Sequence, residues 1–225
     1  MTISGADFDA WLDGLELDWT VKLAAEKGQI ALSTLALQRK ENRVKPQNIL
    51  KIAEGFGRNK LQELARFKGY EAMWPVEATD ASPWYVCVPL VDIVTELLVR
   101  SGVVDYARGY ALGVASDACD RWHDVVASSV QRKDVARQVG IPKNQYSRMI
   151  VANELQFDTI VEVSRSLGVK PHVGLVACGY LGLEDIGVVD KRRSLAHVDS
   201  EVLLGELERQ DRSLVRVLGD AVEDL

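Results

Sequence analysis

The chain is short of the residues that build most catalytic and metal centres. It has three histidines and three cysteines in 225 residues, and Cys87, Cys119 and Cys178 stand far apart. An odd, scattered set suggests neither a disulfide framework nor a zinc site, and it fits a reducing compartment. Long hydrophobic runs are missing as well. No stretch approaches the ~18 apolar residues of a membrane span, because Asp92, Glu96 and Arg100 interrupt the longest candidate. The opening MTISGADFDAWLD is acidic and lacks a basic-then-apolar leader, which argues against export. The expected location is the cytoplasm, with no membrane contact. Strand patterning is nearly absent; only 84–88 combines alternation with β-branching. There is no phosphate loop, no HExxH and no Gly-x-Ser-x-Gly. Acid pairs such as Asp9/Asp13 read as capping or solubility, and His123 falls on an apolar stripe, where a satisfied core imidazole is the commoner case. Nothing here supports an enzyme, and no cofactor or metal is expected.

What is present is an ordinary folding composition, 47% hydrophobic and 27% charged. The length allows one large domain or two small ones. A net charge of −6 argues, as an average, against a nucleic-acid partner, but the distribution argues the other way. Residues 1–17 carry −4, 18–70 carry +6, 71–130 carry −6, 131–182 carry +3 and 183–225 carry −5. Two basic islands lie in an acidic chain, and phosphate attraction follows local potential over a Debye length.

A repeat underlies the islands. At a shift of 111, Asp9, Trp11 and Asp13 fall on Asp120, Trp122 and Asp124. Lys22 meets Lys133, Ile30 meets Ile141, Asn42 meets Asn153, Ile49 meets Ile160 and Gly57 meets Gly168. Apolar positions match too, as in Leu35 with Tyr146 and Ile52 with Val163, and each copy closes on Gly-Tyr. A duplicated domain accounts for this pattern. Each copy reads as a bundle of short helices, the inner ones near 20–27, 32–41, 46–56 and 60–67 in the first. Their counterparts are 131–139, 142–152, 158–167 and 171–178. Asn42 and Asn153 stand where a helix must stop, and Asn tolerates the left-handed turn of a C-terminal cap. The fold class is all-α.

The second and third helices of each copy have helix-turn-helix spacing, with apolar residues turned inward so that the opposite face of the third helix is free for a major groove. In the second copy that face presents Lys143, Asn144, Gln145, Ser147 and Arg148, types that read base edges and phosphates. In the first it presents Ser33, Thr34, Leu37 and Lys40, with Arg39, Arg43 and Lys45 nearby.

The stretch VQRKDVARQVGIPKNQYSRMIVANELQFDTIVEVSRSLGVKPHVGLVACGYLGLEDI resembles the lambda-repressor/Cro-like (XRE) helix-turn-helix domain. It looks most like the version found in actinobacterial phage and prophage immunity repressors, with their Gly-x-x-x-Leu-x-x-Leu-Val-x-x-Gly-Tyr-Leu ending. Residues 19–70 are similar but more degenerate: Gln29 replaces the turn glycine, Gly28 a core aliphatic, and Leu37 stands in the place of Arg148. The resemblance implies two tandem five-helix domains acting as a sequence-specific transcriptional repressor on double-stranded DNA at the nucleoid. It implies that Thr20 and Gln131 anchor phosphates at the start of the second helix, with Lys133 adding charge, while the third helix lies in the groove. Helix N-termini suit phosphate independently of any family. The second copy is expected to set most of the specificity. The alternative is an antitoxin or anti-repressor that keeps the fold and binds protein, which would show apolar residues on the third-helix face.

The expected organisation is a first domain at 1–70, a linker at 71–89 rich in Pro and Trp, a second domain at 90–182 and an acidic helical tail at 183–225. The connector is long enough to let both heads reach one asymmetric DNA site. The apolar helix at 90–100 and the segment 200–218 are candidates for self-association.

Overall fold

The computed structural model describes residues 2–15, 19–76, 83–103 and 113–210. They form thirteen α-helices. The first five are α1 (Gly5–Asp13), α2 (Val21–Lys27), α3 (Leu32–Lys40), α4 (Pro46–Gly55) and α5 (Lys60–Leu64). After α6 (Leu90–Arg100) come α7 (Ala118–Val126), α8 (Arg132–Gln138), α9 (Lys143–Val151), α10 (Phe157–Ser166) and α11 (His172–Ala177). The chain goes on to α12 (Lys191–Ala196) and α13 (Ser200–Gln210). Among the described residues there are no strands, only an isolated bridge between Ile3 and Val44. The segment 84–88, the one strand signal in the sequence, is largely a 3-10 turn, Trp84–Cys87, between Pro83 and Pro89. Its apolar residues face the core, with Val86, Cys87 and Val88 fully buried. No helix here is long and apolar enough to cross a membrane.

The repeat is carried by the backbone. Helices α2, α3 and α4 recur as α8, α9 and α10 with bounds shifted by the same 111 residues. The stop signals coincide: Asn42 and Asn153 both have φ 54°, and Gly57 and Gly168 have φ 66° and 68°. Gln29 takes φ 51° where Gly140 takes 70°, so the first copy holds a left-handed turn without glycine.

Copy-specific packing compensates for substitutions. In the first copy the Trp11 indole N–H donates to buried Glu63 at 2.8 Å. At the position of Glu63 the second copy has Gly174, and the ring of Trp122 fills the space, so a Cβ added there would lie 2.6 Å from the indole.

The two copies share one hydrophobic core. Phe157 at the start of α10 packs against Tyr70, with ring centroids 6.2 Å apart, and against Tyr180 at 5.5 Å. Lys60 pairs with Asp185 at 3.0 Å, and His172 Nε2 lies 3.1 Å from the Met73 carbonyl oxygen. The heads are therefore packed together, not strung on a connector. A second cluster joins α6 to α12 and α13 through Ile93, Leu195, Leu203 and Leu207. Beside it, Arg121 of α7 donates to Glu206 of α13 at 2.6 Å, both side chains fully buried, and to the Val88 carbonyl at 2.7 Å. The two segments expected to self-associate thus cover each other within the chain; 211–218 lies outside the described residues.

Candidate nucleic-acid interface

Four residues separate α2 from α3, and four separate α8 from α9. In each pair an inward residue near the middle of the second helix fixes its seating: Leu35 in α3 and Tyr146 in α9, both fully buried. Ile150 completes the inner face of α9.

The outer face of α9 is open. Lys143, Asn144, Gln145 and Arg148 are exposed and Ser147 is half-buried. Asn144, Arg148 and Val151 form one stripe at helical spacing, and Val151 is 65% exposed. Among the described residues Lys143 and Arg148 have no ion-pair partner, and neither does Lys133 on α8. Pro142 occupies the N-cap position of α9 without a side-chain cap, leaving the first N–H groups of a nine-residue helix open. Gln131 is exposed at the N-cap of α8 and makes no cap hydrogen bond. Thr20, its counterpart, is a working cap whose Oγ accepts from the Leu23 N–H at 3.1 Å. The remaining basic residue of α8's first turn, Arg132, is turned inward onto Asp120 and Asp124.

No family model, curated protein or solved structure matches this chain. The residues themselves carry the comparison between its two halves.

On α3, Ser33, Thr34 and Lys40 are exposed, and Lys45 is exposed at the N-cap of α4. Arg39 faces α1, with Nε 2.6 Å from Asp9 Oδ1 and Nη2 2.8 Å from Oδ2. Arg43 folds onto Glu41, its Nε 2.9 Å from Oε2. Two of the four basic residues on this side are thus held by acids. Leu32 and Leu37 are 46% and 54% exposed, so the outer face of α3 mixes small polar and apolar groups.

The sequence reading passed over Val151, although its spacing from Asn144 and Arg148 marks it as part of the same stripe. It also took His123 for a satisfied imidazole. His123 is buried, its ring 5.6 Å from that of Tyr146, yet neither nitrogen has a hydrogen-bond partner. The nearest carboxylate oxygen, on Asp124, is 3.8 Å from Nδ1, beyond hydrogen-bond length.

Proposed function

We propose that the protein is a sequence-specific double-stranded DNA-binding protein, a transcriptional repressor of the immunity-repressor kind, with α9 as its main reading helix. The observation that carries this reading is the outer face of α9, where Lys143, Asn144, Gln145 and Arg148 stand exposed over a buried Tyr146 and Ile150. Asn suits the paired donor and acceptor of adenine, Arg the two acceptors of guanine, and exposed Val151 a thymine methyl. Lys133, Lys143 and the open N–H groups at the start of α9 suit phosphates, which position the protein without reading sequence. The resemblance of 130–186 to lambda-repressor/Cro-like domains supports the same reading, as does the recurrence of the α2–α3 pair at α8–α9.

A protein-binding role, of the antitoxin or anti-repressor kind, is favoured for α3 alone by exposed Leu32 and Leu37. In this reading the first copy contributes Ser33, Thr34, Lys40 and Lys45 as backbone contacts, and the second copy sets the preferred sequence.

The test is binding to a random-sequence duplex pool at two salt concentrations, followed by selection of the bound fraction. The expected result is affinity that falls steeply with salt, through counterion release, and enrichment of a motif that Arg148→Ala alters. Binding that ignores salt, or no duplex binding at all, would reject the proposal.

A further inference from the structure

At the shift of 111, Arg148 and Val151 of α9 correspond to Leu37 and Lys40 of α3. All four residues are exposed. Each outer face therefore sets one cation beside one apolar side chain, in opposite order in the two copies. A single exposed valine is ordinary on a protein surface. A cation and an apolar group kept together at matched positions of two faces are less so.

On α9 the couple occupies the outermost line of the helix. Tyr146 and Ile150 are fully buried. Arg148 lies two residues from each, which at about 100° per residue is nearly opposite both. Val151 follows one turn on, 65% exposed. Arg148 and Val151 line one surface cleft, to which Met149 and Ala152 add apolar groups. Glu154, exposed, borders the same cleft. Its negative charge makes the cleft a poor seat for a phosphate, whereas a base edge carries no charge for it to oppose.

Resting on the DNA-binding reading above, we propose that this cleft takes a guanine together with the 5-methyl group of a thymine at the adjacent base pair. The Arg148 guanidinium donates two hydrogen bonds, to guanine N7 and O6, and its rigid fork suits that paired geometry. Val151 packs on the methyl, which the other three DNA bases lack. Three residues advance the helix by about 4.5 Å, and stacked bases lie about 3.4 Å apart, so the two side chains fall on neighbouring base pairs. The two contacts discriminate differently. Arg148 rejects a base without paired acceptors, and Val151 rejects a pyrimidine without the methyl.

The test uses the full chain and the duplex motif enriched by selection. Each thymine next to a guanine in that motif is replaced in turn by uracil, which removes the 5-methyl group and leaves base pairing unaltered. At one such thymine the affinity is expected to fall about fourfold, the contribution of one buried methyl-sized group. Val151→Ala, checked for an unchanged melting temperature, binds the thymine and uracil duplexes nearly alike and still prefers the guanine. Arg148→Ala loses the preference for guanine. Sequence-selective binding in which thymine and uracil are equivalent at every such position, or in which Val151→Ala keeps the parent's discrimination, would overturn this inference and leave the DNA-binding reading standing. Failure to enrich any duplex would overturn that reading and this inference with it.

Discussion

Arg39 and Asp9 form a two-point ion pair that locks α3 to α1, with both contacts at 2.8 Å or less. The second copy retains the acid as Asp120 but has Ile150 where Arg39 stands, and its Asp120 binds Arg132 at the start of α8 instead. One acid thus secures the third helix in one copy and the second helix in the other. The consequence for Arg39 is a structural duty that competes with any phosphate contact.

Arg39→Ala is therefore expected to lower stability by about 0.5–1 kcal/mol, the upper range for a partly exposed pair of good geometry. Its effect on duplex affinity should be smaller than that of Arg148→Ala. Chemical denaturation and a binding titration on the same preparations check both parts.

Arg148→Ala and Asn144→Ala should each cost about 1–3 kcal/mol of specific binding and leave the melting temperature nearly unchanged, because both side chains are exposed. A loss of melting temperature with unaltered affinity per folded molecule would show that the face has been assigned wrongly.

The contact between Arg121 and Glu206 predicts a different outcome. Both side chains are fully buried, so Arg121→Met leaves an interior carboxylate with only the more exposed Arg209 to pair with. Breaking such a pair on one side costs about 3–5 kcal/mol. Arg121→Met combined with Glu206→Leu should recover part of that loss, measured by urea unfolding.

Gly174→Ala should destabilise by about 1–3 kcal/mol, as overpacking does, since the new methyl would lie 2.6 Å from the Trp122 ring and the Ile160 side chain is also close. Glu63→Ala at the matching position of the first copy acts by another route, leaving the Trp11 N–H without its acceptor. Thermal unfolding followed by Trp fluorescence distinguishes a displaced ring from an unpaired one.

Acid should reveal Asp124. The polar edge of the His123 ring, at 3.8 Å too far for a hydrogen bond but near enough to favour the charged form, and then the directly paired Arg132 hold its carboxyl below the usual carboxylate range against the opposing effect of burial. A lowered folded value means that this contribution is complete above the unfolded value of about 3.9 and is lost as pH falls through the folded one. Between about pH 5 and 2, the parent should therefore lose more stability than Asp124→Asn; equal slopes would refute the assignment.

Much of the local structure is legible in the chain because it rests on neighbours in sequence. The repeat shift, the helix stops at Asn42 and Asn153, and the exposed face of α9 all follow from spacing and backbone preference. What depends on partners distant in sequence is not legible that way. Asp9 reaches Arg39 only once α1 crosses α3, and Arg121 reaches Glu206 only through the packing of α13 beside α7. The apolar helix at 90–100 announces that it must be covered, but its cover, Leu203 and Leu207 of α13, lies a hundred residues on. The 84–88 segment shows the same limit: alternation there reports one buried side, which a short turn between prolines satisfies as well as a strand.

The seating of both Tyr70 and Tyr180 on Phe157 means that the duplicated halves have given up their independence. A fragment lacking 1–70 would take Tyr70 from Phe157 and deprive Asp185 of Lys60. Such a fragment should unfold or aggregate instead of persisting as a one-headed protein. Because the two copies share one core, α3 and α9 do not move apart independently, and under the proposed DNA-binding reading a duplex touched by both would have to match their spacing or be bent to it.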